Sequence, residues 1–317
     1  MENAKTQTDV FAREVHDGLS DSPKYLPTRF IYDERGSQLF EQIMELPEYY
    51  LTRTEYQILE KARHDLVQHL AQEEFNLVEL GAGNGLKTSL LLELFIEKKL
   101  NFRYTPIDIS ADILRQLADT LEKQFPGLEV VPLHMDYFQA LQSLKSGHRK
   151  NLVLFLGSNI GNMSPEKSVD FLRRLNDHLS PGDWLLTGFD MVKDYDLLNK
   201  AYGDSHGITA AFNLNLLHRI NRELGGHFDV SQFRFYSFFN PRSSAIESFL
   251  VSLKKQSVWI EKTGTEYHFE AWESIHTEYS FKYTRKLIRQ LAENAGFRII
   301  KNYIAPKNFF TDSLWEK

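Results

Sequence analysis

NLVELGAGNGLKTSLLLELF, residues 76–95, puts three glycines within five residues between two apolar stretches. NLVEL has the length and continuous apolar character of a buried strand, and KTSLLLELFIEKK that of a helix. Between them Gly81, Gly83 and Gly85 allow positive φ and leave bare backbone for a ligand at a strand's carboxyl end. A dinucleotide site expects GxGxxG with a helix N-terminus facing a pyrophosphate, and here the third glycine comes one residue early. GxGxG preceded by an acid, Glu79, suits S-adenosylmethionine, whose methionine end needs no pyrophosphate cradle. A tight strand-to-helix turn without a ligand is the plain alternative.

Outward from this loop the alternation repeats. Strand FRYTPIDI, helix ADILRQLADTLEKQF, strands LEVVPLHM and NLVLFLG, helix PEKSVDFLRRLNDHL, a turn at Pro181–Asp183 and strand WLLTGFDM follow in order. Apolar strands alternating with helices predict an α/β fold, a parallel sheet with helices on both faces. Residues 37–70, ahead of the loop, read as helices interrupted at Pro47. After about residue 195 the rhythm changes to helical DLLNKAYG and ITAAFNLNLLHRINREL, ending at Gly225–Gly226, then strand-like FRFYSFFN, AIESFLVSLKKQSVWI and EYHFEA. TRKLIRQLAENAGFRIIKNYIAP then resumes helix, glycine cap and strand. The expected organisation is one domain from residues 1–195 with 284–317, its first 70 residues a helical preface, and an inserted α+β lobe over 196–283.

Composition narrows the function. A net charge of −6 without Lys/Arg runs beyond short pairs argues against nucleic acid as a partner. No apolar stretch has the roughly 20 residues that span a bilayer, and MENAKTQTDVFAREV lacks a signal-peptide core, so a cytoplasmic protein is expected. Zero cysteines exclude disulfides, thiolate metal sites and a Cys nucleophile, and the 11 histidines show no HExxH-like metal spacing.

Two further acids extend the glycine-loop argument. Asp108 ends the strand YTPIDIS, where a carboxylate can accept from both ribose hydroxyls of either cofactor. Asp136 and Tyr137 follow the next strand and offer an acceptor for an adenine amino group and an aromatic face for its ring. Each acid alone reads equally well as a helix cap or a solvated charge. Three in order at strand ends favour S-adenosylmethionine.

Several longer motifs carry a resemblance: FIYDERGSQLF, ELPEYYLTRTE, LVELGAGNGLKT, FLGSNIGNMSP, LLTGFDMVKD, AYGDSHGITAAFNLNLLHRINREL and HTEYSFKY. Over nearly its whole length the chain resembles the histidine Nα-methyltransferase family of ergothioneine biosynthesis. The resemblance implies a class I methyltransferase, Rossmann-like, with a substrate lobe, and a monomer that takes L-histidine. It further implies that Gly81 and Lys87 contact S-adenosylmethionine, that Asp108 binds its ribose, and that Asp136 with Tyr137 clamps adenine. For the amino acid it implies Tyr49 and Tyr202 at the carboxylate, and Asn162 and Tyr32 at the α-amine. Uncharged donors suit a carboxylate held without a counter-ion that would pull on the amine's pKa. Taken singly, each tyrosine is an ordinary amphipathic core residue.

Glu278 and Ser280 sit two apart in HTEYSFKY, so on a strand they share a face and can reach both nitrogens of one imidazole. Outside the motif such a pair is more often a solvated strand face. Ser248 stands where family members often carry methionine beside the ring pocket, and Asn159 replaces a smaller threonine, so both bear on selectivity. The expected chemistry is displacement at the sulfonium methyl by the neutral α-amine of histidine, and the resemblance implies its repetition up to three times to give hercynine. The alternatives are methylation of tryptophan or a histidine derivative, a non-catalytic cofactor-binding module, and an NAD-dependent oxidoreductase.

Overall fold

The strand before the glycine loop, β1 (Phe75–Leu80), is buried at all six positions, as a strand covered on both faces must be. The computed structural model describes residues 2–70, 73–108, 111–144 and 149–317. Helices α1 (Glu2–Ser20), α2 (Glu34–Glu45) and α3 (Tyr50–Leu70) precede β1. It is followed by α4 (Leu86–Glu97), β2 (Phe102–Asp108), α5 (Ala111–Gln124), β3 (Leu133–His134), α6 (Tyr137–Leu144), β4 (Lys150–Phe155), α7 (Pro165–His178) and β5 (Trp184–Asp190). Next come α8 (Tyr195–Tyr202), α9 (Ile208–Leu224), β6 (Phe233–Asn240), β7 (Ala245–Ser252), β8 (Gln256–Ile260), β9 (Thr265–Phe269) and β10 (Ser274–Phe281). The last elements are α10 (Arg285–Asn294), β11 (Arg298–Ile304) and β12 (Phe310–Glu316).

Among the described residues, seven strands form one sheet in the order β11-β12-β5-β4-β1-β2-β3. β1 to β5 are parallel, with Phe75 opposite Phe102 on one side and Lys150 on the other. β12 runs against both of its neighbours, with Phe310 opposite Asp190 and Thr311 opposite Ile304. This is the strand order of a class I methyltransferase, an α/β sheet with one reversed strand. Because β1 lies between β2 and β4, the order reverses at β1 and β4, the switch point at whose carboxyl strand ends sheets of this kind take ligands.

The strand pattern departs from expectation in two places. β12 does not stand out in the sequence because Thr311, Asp312 and Ser313 interrupt its apolar character, yet all three are buried. The strand expected over LEVVPLHM pairs only at Leu133–His134, with a single bridge from Val130 to Tyr104, and α6 begins at Tyr137.

Residues 51–192 and 282–317 form a compact unit that contains this sheet, and residues 1–50 and 193–281 form a second. The first fifty residues, expected with the sheet, pack on the lobe elements instead: α1 against α9 and β9, and α2 against α9. The cause is the apolar faces of these helices, since Phe11, Val15, Leu39 and Ile43 are all buried. In this unit β10, β7 and β6 make an antiparallel sheet, and β8 and β9 a hairpin. The FIYDERG stretch is accounted for by packing. Asp33 caps α2 by accepting from the Gly36 N–H at 2.8 Å, and it is held by Asn215 at 2.7 Å and Arg222 at 2.5 Å. A side chain at Gly36 would overlap the Ile31 carbonyl, so this turn fixes the backbone that presents Tyr32.

Candidate active site

In the sheet unit, the turn after β1 has positive φ at Gly81 (72°), Gly83 (54°) and Gly85 (67°), a backbone that β-carbons would strain. A β-carbon on Gly81 would also lie 3.1 Å from the Tyr137 hydroxyl, so the glycine and the tyrosine are neighbours. Glu79 turns into the core. It is buried, accepts from Thr88 at 2.6 Å and from the Tyr104 hydroxyl, and is pushed up to about 7 by burial, against the lowering effect of those bonds and of Lys87.

Asp108 is half-buried at the end of β2, and Tyr137 begins α6. Burial, then the charges of Asp108 and Asp136, raise the Tyr137 hydroxyl above its usual range, so the three groups share one neighbourhood and Tyr137 stays protonated. Asp136 is exposed, and one of its oxygens accepts from the Phe138 N–H at 2.9 Å, so it also serves as the helix cap. A carboxylate has acceptor capacity beyond that bond.

Lys87 makes an ion pair of 2.5 Å with Glu55 of α3, which is 1% exposed. Glu55 also accepts from the Gly157 N–H at 2.8 and 3.0 Å. The loop that Gly157 opens after β4 continues through Ser158, at φ 56°, into one 3₁₀ turn over Asn159–Asn162. The Ser158 hydroxyl accepts from the Asp190 N–H at 3.0 Å, and the Gly161 N–H donates to the Ser158 carbonyl at 2.8 Å. Asn162 is exposed at the end of that turn. Asn159 faces the glycines: its amide nitrogen lies 3.7 Å from the β-carbon positions of both Gly81 and Gly157.

In the second unit, Tyr32, Phe40, Tyr49, Tyr202 and Phe212 form a chain of ring contacts. Tyr32 is 5.6 Å from Phe40 and 5.3 Å from Phe212, Phe40 is 6.2 Å from Tyr49, and Tyr49 is 6.1 Å from Tyr202. The Tyr202 and Ser280 hydroxyls lie 2.8 Å apart and hydrogen-bond. Burial, followed by the charge of Glu278 and then by Tyr49 and Tyr202, holds the Tyr32 hydroxyl well above its usual pKa, so it is a neutral donor and not a base. A register shift in β10 falls between His276 and Glu278, after which Glu278 lies opposite Ser248 and Ser280 opposite Ile246. Ser248 is 1% exposed, and its carbonyl accepts from the Thr277 hydroxyl at 3.2 Å.

Tyr32, Tyr49, Tyr202, Glu278 and Ser280 are thus gathered in one unit, and Gly81, Lys87, Asp108, Asp136, Tyr137, Asn159 and Asn162 belong to the other. Sequence reasoning missed Glu55, Gly157 and Asp312. Glu55 ends the quoted ELPEYYLTRTE motif and Gly157 lies in the quoted FLGSNIGNMSP motif, whereas Asp312 lies in none. Among the described residues no cluster of His, Asp or Glu could hold a metal ion, and no helix is long and apolar enough to cross a membrane.

Residues 11–317 match the family described as "Histidine-specific methyltransferase, SAM-dependent". The chain is 38% identical over 312 residues to a histidine N-alpha-methyltransferase of Mycolicibacterium smegmatis, covering 98% of this chain and 96% of the relative. It is also 38% identical to the protein of the same name from Mycobacterium tuberculosis, over 91% of this chain and 89% of that one. Ergothioneine biosynthesis protein 1 of Schizosaccharomyces pombe is 29% identical over 88% of this chain, a match to 37% of that longer protein.

Proposed function

The chain belongs to the histidine-specific, S-adenosylmethionine-dependent methyltransferase family, and we propose that it methylates the α-amino group of L-histidine up to three times, giving hercynine. The observation that carries this reading within the chain is the cluster of Tyr32, Tyr49 and Tyr202 with Ser280 and Glu278, uncharged donors beside a single carboxylate. A zwitterionic amino acid with a neutral, two-nitrogen ring suits that set.

The sheet unit is assigned the cofactor and the second unit most of the amino-acid contacts. When bound, S-adenosylmethionine supplies an electrophilic sulfonium methyl. Bare backbone at Gly81 lets its methionine end approach, and Lys87, with three N–H donors and one given to Glu55, has donors left for the methionine carboxylate. Asp108 accepts from the ribose hydroxyls, Asp136 from the adenine amino group, and the Tyr137 ring offers a face to the base.

Tyr49 and Tyr202 donate to the histidine carboxylate. Asn162 and Tyr32 orient the α-amine for in-line attack, and most of the rate enhancement comes from this positioning. The amine must be neutral to attack. Burial disfavours its ammonium form, and the Tyr32 hydroxyl, held protonated, does not take up the proton that the amine releases. As N–H donors are replaced by methyl groups, ring faces such as those of Phe40 and Phe212 suit the growing cation. Glu278 and Ser280 read the two imidazole nitrogens.

Mass spectrometry of histidine incubated with the protein and S-adenosylmethionine tests this assignment. Products carrying one, two and three methyl groups on the α-nitrogen are expected, and unmodified histidine alongside a methylated tryptophan control would overturn it.

A further inference from the structure

In the sheet unit three buried carboxyl groups neighbour one lysine. Glu55 comes from α3, Glu79 from β1 and Asp312 from β12, and Lys87 comes from α4. Glu79 is engaged by Thr88 and Tyr104. Asp312 is fully buried, and among the described residues neither of its oxygens has a donor partner. Its neighbour Glu55 is likewise an acceptor, and two carboxyls can share a contact only when one carries a proton. Burial and the Glu55 charge raise the pKa of Asp312, which makes it the protonated member and the donor to Glu55. A side chain at Gly188 of β5 would overlap the Glu55 carboxylate, so the sheet leaves this space open for it. Glu55 is thereby held by Asp312, by the Lys87 ammonium and by the Gly157 N–H.

A single salt bridge would not need this construction. Lys87 is followed along α4, whereas Gly157 opens the loop that ends at Asn162, and Glu55 is the group that touches both. We infer that Glu55 is a positioning residue of the methyl transfer: its carboxylate fixes the Lys87 ammonium and the start of the Asn162 loop in one arrangement, aligning the cofactor's carboxylate with the loop that orients the amine. This rests on the assignment of Lys87 to the cofactor. Glu55 itself touches neither ligand. Glu55 is 1% exposed, and both of its oxygens accept from the one Gly157 N–H.

The test compares S-adenosylhomocysteine, which carries the amino-acid end, with 5′-methylthioadenosine, which lacks it, by calorimetry on Glu55→Gln, Lys87→Ala and the double variant. Losing a charge-assisted bond that positions the ammonium should weaken S-adenosylhomocysteine about tenfold in Glu55→Gln and leave methylthioadenosine within about twofold. The double variant should bind no more weakly than Lys87→Ala, because Glu55 acts through the lysine. Equal weakening of both ligands would make Glu55 a structural residue only and overturn the inference. Intact S-adenosylhomocysteine binding in Glu55→Gln, with loss in Lys87→Ala, would overturn it and spare the Lys87 assignment. Unchanged binding in Lys87→Ala would remove that assignment and this inference together. Should Glu55→Gln fail to fold, Glu55→Asp, which retracts the carboxylate by one methylene, is held to the same outcomes.

Discussion

In the sheet unit Glu55, Glu79, Asp183, Asp190, Lys282 and Asp312 are all buried, and Lys282 and Asp190 form an ion pair at 2.9 Å with both side chains fully enclosed. In the second unit, among the described residues, the buried polar side chains are neutral: Thr209, Asn213, Asn215, Ser248, Ser252, Thr277 and Ser280. Buried ionisable groups are costly unless paired or held neutral, so their concentration in one unit calls for a reason. The sheet unit is assigned a cofactor that carries an ammonium, a carboxylate and a sulfonium, and fixed charges can register such a ligand. The second unit is assigned an amine that must lose its proton to react, and neutral hydroxyls leave that equilibrium alone. Glu278, half-buried beside the tyrosines, is the one acid placed against that rule.

The largest effect that can break the contrast concerns Glu79. Its carboxyl sits at about 7 in the folded protein against an ordinary 4.5. The folded state therefore keeps a proton that the unfolded chain releases, and the resulting stabilisation is complete below 4.5 and lost as pH rises through about 7. A shift of that size corresponds to about 3 kcal/mol. Urea unfolding at pH 4.5 and pH 8 should show the Glu79→Gln variant losing less stability than the native protein over this interval. Identical losses would mean that Glu79 is not the desolvated acid described.

Asn162→Ala should reduce kcat about a hundredfold with S-adenosylhomocysteine affinity retained, since misplacing the amine affects the transition state and not the nucleoside. Parallel losses in both would move Asn162 into the cofactor site and blur the division of labour. Asp108→Ala should weaken S-adenosylhomocysteine by about 1.5–3 kcal/mol, roughly tenfold or more, by removing a charged acceptor from the ribose hydroxyls. Calorimetry showing unchanged affinity would reject that role.

The glycine loop and the strand-end acids were legible because their spacing is local: Gly81, Asp108 and Asp136 each follow a recognisable strand. The alternation of β1 to β5 with their helices was legible for the same reason. Glu55 was not, because on α3 it looks like one more acid on an amphipathic helix, and its partners Lys87, Gly157 and Asp312 are 32 or more positions away in the chain. β12 was hidden by the polar residues Thr311, Asp312 and Ser313, which interrupt its apolar character although all three are buried. The first fifty residues were placed with the sheet because helical periodicity reports an apolar face without reporting what covers it, and α9 covers it. The i, i+2 spacing of Glu278 and Ser280 did anticipate a shared strand, although the register shift just before Glu278 was not visible in the sequence.

The neutral cradle with its single acid is tested most directly at Glu278. Removing it should leave an imidazole N–H without its acceptor and relieve the penalty that an unpaired carboxylate imposes on apolar rings. In a competition assay, kcat/KM for histidine relative to tryptophan should be high in the native protein and fall in Glu278→Ala. A ratio that stays constant between the two would contradict the account, because Glu278 would then be a strand residue with no part in choosing the substrate.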